Sequence, residues 1–278
     1  MPSTLRKLTV ALSVATCLLA STTAFAVQFA DKNLEAALRT MVFEKRNNAD
    51  ELTEDDLRKI STLEARGRAI QNLAGIEHCT NLLLLDLSNN EVADITPIKS
   101  LKSLQSLTLA ANKLTDIIPL MALEKLQYLN LQGNQIRLVQ PLSGMTKLSA
   151  LYLAENQIEN VAPLAGLTRL SSLDLAKNNI SDIAPLANIP RLNVLKLSDN
   201  AVEDIRPATQ NPPQSMLIIE RNKVADLKAL VEAAKADAEG KKTFAPFLRL
   251  YLEGNPLTEA AKSEQLAELK KSGVRIEN

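Results

Sequence analysis

Seven asparagines stand 22 residues apart, at Asn90, Asn112, Asn134, Asn156, Asn178, Asn200 and Asn222, and prolines keep the same interval from Pro97 to Pro207. Between them the apolar residues hold a fixed phase. One unit reads Leu104-x-x-Leu107-x-Leu109-x-x-Asn112-x-Leu114-x-x-Ile117-x-Pro119-Leu120-x-x-Leu123, and units opening at Leu126, Leu148, Leu170 and Leu192 repeat it. A unit this short cannot bury its own apolar side, so it must stack on copies of itself, and the chain has to be a solenoid. The phase extends back through Ile60, Leu63, Ala65, Ile70, Leu73 and Ile76, with Arg68 in the asparagine slot. It extends forward through Leu217, Ile219, Asn222, Val224 and Leu227, then through Phe247, Leu250, Leu252, Asn255 and Leu257. Asn222 and Asn255 are 33 residues apart, so 11 extra residues lie in that step.

The spacing predicts what each coil does. In Leu-x-Leu both leucines point to one face of a short strand and the residue between them to the other. Nine stacked strands then form a parallel sheet along the concave side. Proline after isoleucine turns the chain on the convex side, where its missing N–H costs little. The repeated asparagine is expected inside the turn, its amide bonding backbone groups of its own and the adjacent coil. Composition agrees: apolar residues make up 46% of the chain but aromatics only 3%, with no tryptophan, so the core is aliphatic.

Residues 1–26 have the pattern of an export signal. Arg6 and Lys7 precede an apolar run from Leu8 to Leu19, and Ala24-Phe25-Ala26 offers a small-x-small cleavage site. The run is short for a membrane span, and no second span or C-terminal anchor follows, so a secreted or periplasmic chain is expected. Cleavage would remove two of the 32 basic residues and none of the 32 acidic ones, leaving 30 against 32, a net charge of −2. That balance favours neither nucleic acid nor an anionic membrane as partner. Cys17 would leave with the signal and Cys79 would stand alone, without a disulfide.

Residues 27–56 are expected to form a helical cap, with Leu34, Ala37, Leu38, Met41 and Val42 on one apolar face. The repeats occupy 57–257, with a helical insertion near 228–243, and residues 258–278 form a second cap. There, Thr258 caps a helix that stops at Gly273, and Val274-Arg-Ile276 covers the last coil.

Candidate chemistry is sparse. His78 is the only histidine and adjoins Cys79, but Cys79 occupies the core slot held by Leu101, Leu123, Met145, Leu167 and Ile189 in later units. Asp94, Asp116, Asp182, Asp204 and Asp226 form a ladder that could hold Ca²⁺, yet Leu138 and Asn160 interrupt it. An aspartate before a turn more often accepts a local backbone N–H. No phosphate loop, zinc-ligand spacing or nucleophile elbow is present. The expectation is therefore no catalytic residue, no metal and no cofactor.

The repeat resembles the leucine-rich-repeat family, and its 22-residue form, with Asp94-Ile-Thr-Pro97, Asp116-Ile-Ile-Pro119, Asp182-Ile-Ala-Pro185 and Asp204-Ile-Arg-Pro207, is most similar to bacterial internalins. The stretches Phe29–Leu38 and Leu52–Leu57 resemble the helical N-terminal cap of internalin-like proteins, and Gly254-Asn-Pro-Leu257 with Gly273-Val-Arg-Ile276 resembles the closing segment of secreted bacterial repeat proteins. The resemblance implies an α/β leucine-rich-repeat solenoid, with a curved parallel sheet between two helical caps, that binds a protein on its concave face as a monomer.

All three tyrosines fall at outward strand positions, where an aromatic ring gains nothing from the core. Tyrosine and arginine are enriched at binding hot spots. The predicted contact residues are Tyr128, Asn130, Tyr152, Lys196, Ile218, Arg249 and Tyr251, with Ala110, Ala150, Ala154 and Ala176 leaving room for a partner. The repeat is also similar to that of the leucine-rich-repeat regulatory subunit of protein phosphatase-1, an intracellular scaffold. An export signal separates the two readings.

Overall fold

The computed structural model describes residues 26–277. The expected export signal, with Cys17, lies outside the described residues apart from Ala26.

Ten three-residue strands form one parallel sheet in sequence order. They are β1 (Thr62–Glu64), β2 (Leu84–Asp86), β3 (Ser106–Thr108), β4 (Tyr128–Asn130), β5 (Ala150–Tyr152), β6 (Ser172–Asp174), β7 (Val194–Lys196), β8 (Met216–Ile218), β9 (Arg249–Tyr251) and β10 (Arg275–Glu277). From β1 to β8 every residue pairs with the one 22 positions on, for example Leu107 with Leu129. Short helical turns on the opposite side carry each proline in their first turn, where no intrahelical N–H is needed. The leucines between the two sides form one continuous core.

Two ladders at the end of each strand explain how a three-residue strand is followed by a sharp turn. The asparagines are buried, apart from the half-buried Asn200 and Asn255, and saturated: Asn112 Oδ1 accepts from Val92 N at 3.0 Å, while its Nδ2 donates to Leu87 O at 2.9 Å and Leu109 O at 3.1 Å. Each amide thus ties its own coil to the preceding one. The residue before each asparagine is left-handed, at Asn89, Ala111, Glu155, Lys177, Asp199 and Arg221 as well as at Gly133 and Gly254. For a residue with a Cβ this costs roughly 1–2 kcal/mol, so the asparagine contacts hold a conformation the local sequence does not favour.

At the N-terminal end, helix α1 (Lys32–Met41) and helix α2 (Glu54–Arg58) pack against the first coil. That coil has Arg68 where an asparagine would be, and Asp31 ties it to the cap by a different set of contacts. One of its oxygens caps α1 through Asn33 N and Leu34 N; the other accepts from Gln71 N and Asn72 N at 2.7 and 3.1 Å. Burial alone would raise the Asp31 pKa, but these four N–H groups hold it below the ordinary carboxylate value. Met41 departs from the expected apolar face and is 44% exposed. The helix ends there, and Val42, in an extended conformation, turns inward instead. Gly75 (φ +104°) lies flat against Phe29; a Cβ there would stand 2.6 Å from the ring.

The C-terminal end differs from the expectation in two places. After helix α3 (Arg206–Gln210) and β8, helix α4 (Lys228–Glu239) forms the insertion, and the chain returns through a helical turn at Phe244–Leu248. That turn puts Phe244 and Leu248 inside, one turn apart, and rotates Phe247 outward to 61% exposure, so Phe247 does not fill the leucine slot of the ninth coil. The second difference is β10. Val274-Arg-Ile276 is expected only to cover the last coil, but Arg275–Glu277 pairs with β9 and lengthens the sheet. A π turn at Ala261–Gln265 and helix α5 (Leu266–Lys271) lead into it, with Thr258 Oγ1 capping Ala261 N and Gly273 (φ +98°) ending the helix.

Candidate functional site

The middle residue of each strand from β1 to β9 points into the core, and its two neighbours form parallel rows along the outer face of the sheet. Register places Asn130, Tyr152, Asp174, Lys196, Ile218 and Tyr251 side by side in one row. The other row carries Tyr128, Ala150, Ser172, Val194, Met216 and Arg249. Five of the seven predicted contact residues therefore share one row, and Tyr128 and Arg249 stand in the other.

These positions are less open than the repeat pattern alone suggests. All seven predicted residues are half-buried, because strands roughly 4.8 Å apart shield one another's side chains. Just past the strands, Ser88, Ala154 and Ser198 are buried, as is Asp174 at the end of β6. The first two coils close their part of the face with Arg66, whose guanidinium reaches Asp86 at 2.7 Å and Ser88 at 2.9 Å.

The structure sorts the predicted residues into two groups. Tyr128, Asn130 and Tyr152 lie together on β4 and β5. The two rings are tilted at 44° with centroids 5.4 Å apart, a geometry at which aromatic pairs attract. Burial, with Tyr152 beside it, raises the Tyr128 pKa against a hydrogen bond from the Asn130 side chain. The Tyr128 phenol therefore stays neutral and can donate. Lys196, Ile218, Arg249 and Tyr251 form the second group on β7 to β9, with Val194 and Met216 supplying apolar surface between them.

Sequence reasoning left out Asp174, which joins the two groups. Its Oδ2 lies 3.1 Å from Lys196 Nζ and its Oδ1 accepts from Ala176 N at 3.1 Å. The lysine is thus already partnered. The signal was available, since Asp174 stands between Tyr152 and Lys196 in the row, but its burial was not.

The other candidate chemistry resolves into local structure. Asp94, Asp116, Asp182, Asp204 and Asp226 each accept the backbone N–H two residues on at 2.6–2.9 Å, and Asn160 does the same. Among the described residues no group of three or more His, Cys, Asp and Glu side chains converges as a metal site would. Cys79 is wholly buried, and burial pushes its thiol up to about 12, away from the thiolate a nucleophile needs. His78 faces Glu54, its Nδ1 3.5 Å from Oε1, rather than the thiol.

A family model described as leucine-rich repeats in two copies matches residues 80–120, 124–166 and 168–210. Among solved structures, internalin C2 of Listeria monocytogenes is 33% identical, with a TM-score of 0.71 over 83% of this chain and 94% of that one. A leucine-rich-repeat protein of Leptospira interrogans is 24% identical, with a TM-score of 0.63 over 75% of this chain and 57% of that one. The ectodomain of a plant membrane receptor kinase from Arabidopsis thaliana, in complex with Casparian strip integrity factor 2, is 20% identical, with a TM-score of 0.56 over 67% and 23%. The last two likenesses concern the fold alone.

Proposed function

Because the chain belongs to the internalin-like family of bacterial leucine-rich-repeat proteins, we propose that it is an exported, non-enzymatic module that binds a protein on the outer face of its sheet. The observation that carries the reading is the Tyr128–Tyr152 pair. Two half-exposed rings stand side by side on adjacent strands, one in each row, and the rigid strands beneath them hold the rings in place before a partner arrives. Such an arrangement gives up little side-chain freedom on binding. Asp174 and Lys196 add a fixed charge pair beside the rings, and Ile218, Met216 and Tyr251 extend the contact with apolar area. The partner therefore presents an apolar strip with hydrogen-bond acceptors opposite the phenols.

Export rests on the charged, apolar and small-residue segments of residues 1–26. No helix among the described residues is long and apolar enough to cross a membrane. Val27, the first residue after the expected cleavage point, donates to Leu52 O at 2.8 Å. Mass determination of the protein recovered from the culture medium or periplasm tests this directly; a chain retaining residues 1–26 in the cytosol overturns it.

The binding face is tested with Tyr128→Ala and Tyr152→Ala in one chain. Partners recovered by affinity capture and identified by mass spectrometry are remeasured against the variant. A hot-spot ring is worth about 2 kcal/mol or more, so losing one lowers affinity about 30-fold, and the double variant is expected to fall beyond that while the far-ultraviolet dichroism stays unchanged. Undiminished affinity of a folded variant removes the face from consideration.

A further inference from the structure

The two edges of the sheet carry opposite charge designs. On the edge after the strands, the left-handed residues alternate in sign as Glu155, Lys177, Asp199 and Arg221, with Lys177 2.9 Å from Glu155 and Arg221 2.6 Å from Asp199. On the edge before the strands, the corresponding column in four consecutive coils is Lys125, Lys147, Arg169 and Arg191. All four are exposed, and none makes a salt bridge or a side-chain hydrogen bond among the described residues. Glu124 is the single acid in this column or the ones beside it across these coils.

Coils step by roughly 4.8 Å, so the four cations lie along about 14 Å of edge. Like charges on neighbouring strands repel and destabilise, and the opposite edge demonstrates the alternating arrangement that avoids this. The near-neutral total, 32 basic against 32 acidic residues, conceals the segregation. An open depression of about 320 Å³ runs along the column, lined by Lys147, Arg169 and Arg191 together with Gln127 and Ser149.

From this column we infer a second binding site, distinct from the tyrosine face, for a linear anionic polysaccharide carrying sulfate or carboxylate groups. Arginine presents a planar fork that matches such groups in a bidentate way, and lysine adds point charge. Gln127, Ser149, Ser171 and Asn193 flank the cations and offer amide and hydroxyl groups to sugar hydroxyls. No aromatic side chain stands in the column or beside it in these four coils, so there is no platform on which nucleic-acid bases would stack. The exposed Met121 shares a neighbouring depression with Glu124 and Lys147, but one such side chain offers too little apolar area to hold the chain in a bilayer.

The test uses the purified chain with heparin dodecasaccharide as the probe, by titration calorimetry at several salt concentrations. Binding is expected to weaken linearly in log salt, as counterion release requires. In the double variant Lys147→Gln with Arg169→Gln the slope is expected to fall by about half, two of four cations having gone. Lys177→Gln on the paired edge should leave affinity and slope as they were, and so should Tyr128→Ala with Tyr152→Ala, which separates this site from the protein-binding face. Absence of binding overturns the assignment, as does a slope unchanged in the double variant. Tighter binding of single-stranded DNA of equal charge, or of phosphatidylserine vesicles, overturns the polysaccharide as ligand.

Discussion

Replacing Asn90 by alanine should cost clearly more stability than replacing Asn134, although the two are equally buried members of one ladder. In the middle of the ladder each strand-end carbonyl accepts from two amides. Leu109 O receives Asn134 at 2.9 Å and Asn112 at 3.1 Å; Leu131 O receives Asn134 at 2.9 Å and Asn156 at 3.0 Å. Asn134→Ala therefore leaves both carbonyls one partner and strands only the Leu114 N–H, which Asn134 Oδ1 accepts at 3.0 Å. At the start of the ladder Arg68 replaces the preceding asparagine, so Ala65 O depends on Asn90 alone, at 2.8 Å. Asn90 Oδ1 also serves two donors, Arg68 N and Ile70 N, each at 3.0 Å. A stranded buried group costs about 1–3 kcal/mol. Asn134→Ala is then expected to lose about 1–3 kcal/mol. Asn90→Ala, which strands the buried Ile70 N–H and Ala65 C=O and leaves Arg68 N–H to water, should lose about 2–6 kcal/mol. Water entering either small polar hole would bring the cost to the low end of its range. Urea unfolding followed by circular dichroism measures the difference, and hydrogen exchange at Ile70 and Leu114 locates it. Equal costs, a reversed order, or an unaltered Leu114 amide in Asn134→Ala would refute the shared-carbonyl account.

Three further outcomes follow from named contacts. Cys79 should resist alkylation at pH 8 in the folded protein and react at the ordinary rate once urea unfolds it, since burial pushes the thiol up to about 12; rapid labelling of the native chain contradicts this. Gly75→Ala should destabilise the N-terminal cap by about 1–3 kcal/mol, because the new methyl displaces the Phe29 ring at a left-handed position; a neutral melting shift would show that Phe29 does not hold the cap. Acid should unfold the chain as pH falls from about 4 to about 2. Burial alone would raise the Asp56 and Asp237 pKa values, but Asp56 is held at about 2 by Lys45 and Thr53, and Asp237 at about 2 by Thr243, Ala245 and Phe244. A carboxylate whose folded value lies below its unfolded 3.8 stabilises the fold at higher pH and loses that contribution on protonation. Stability in urea that stays flat from pH 5 to pH 2 would contradict those contacts.

The 22-residue period was enough to determine the solenoid, the parallel order of the strands, the inward leucines and asparagines and the outward tyrosines. Stacking identical units turns a repeat in sequence into a repeat in space, with no long-range pairing left to choose. The Tyr128–Tyr152 neighbourhood was legible for the same reason. What the repeat could not supply is whatever depends on contacts between coils or on breaks in the pattern. Asp174 was visible in the row, but its burial and its hold on Lys196 follow from the side chains that neighbouring strands press against it. Phe247 fits the leucine pattern and yet turns outward, because the returning turn after α4 places Phe244 and Leu248 in the core. Asp31 binds the first coil to the N-terminal cap from 40 residues away, and β10 closes the sheet from outside the repeat; in both cases an exposed end recruited whatever backbone partner the fold brought near.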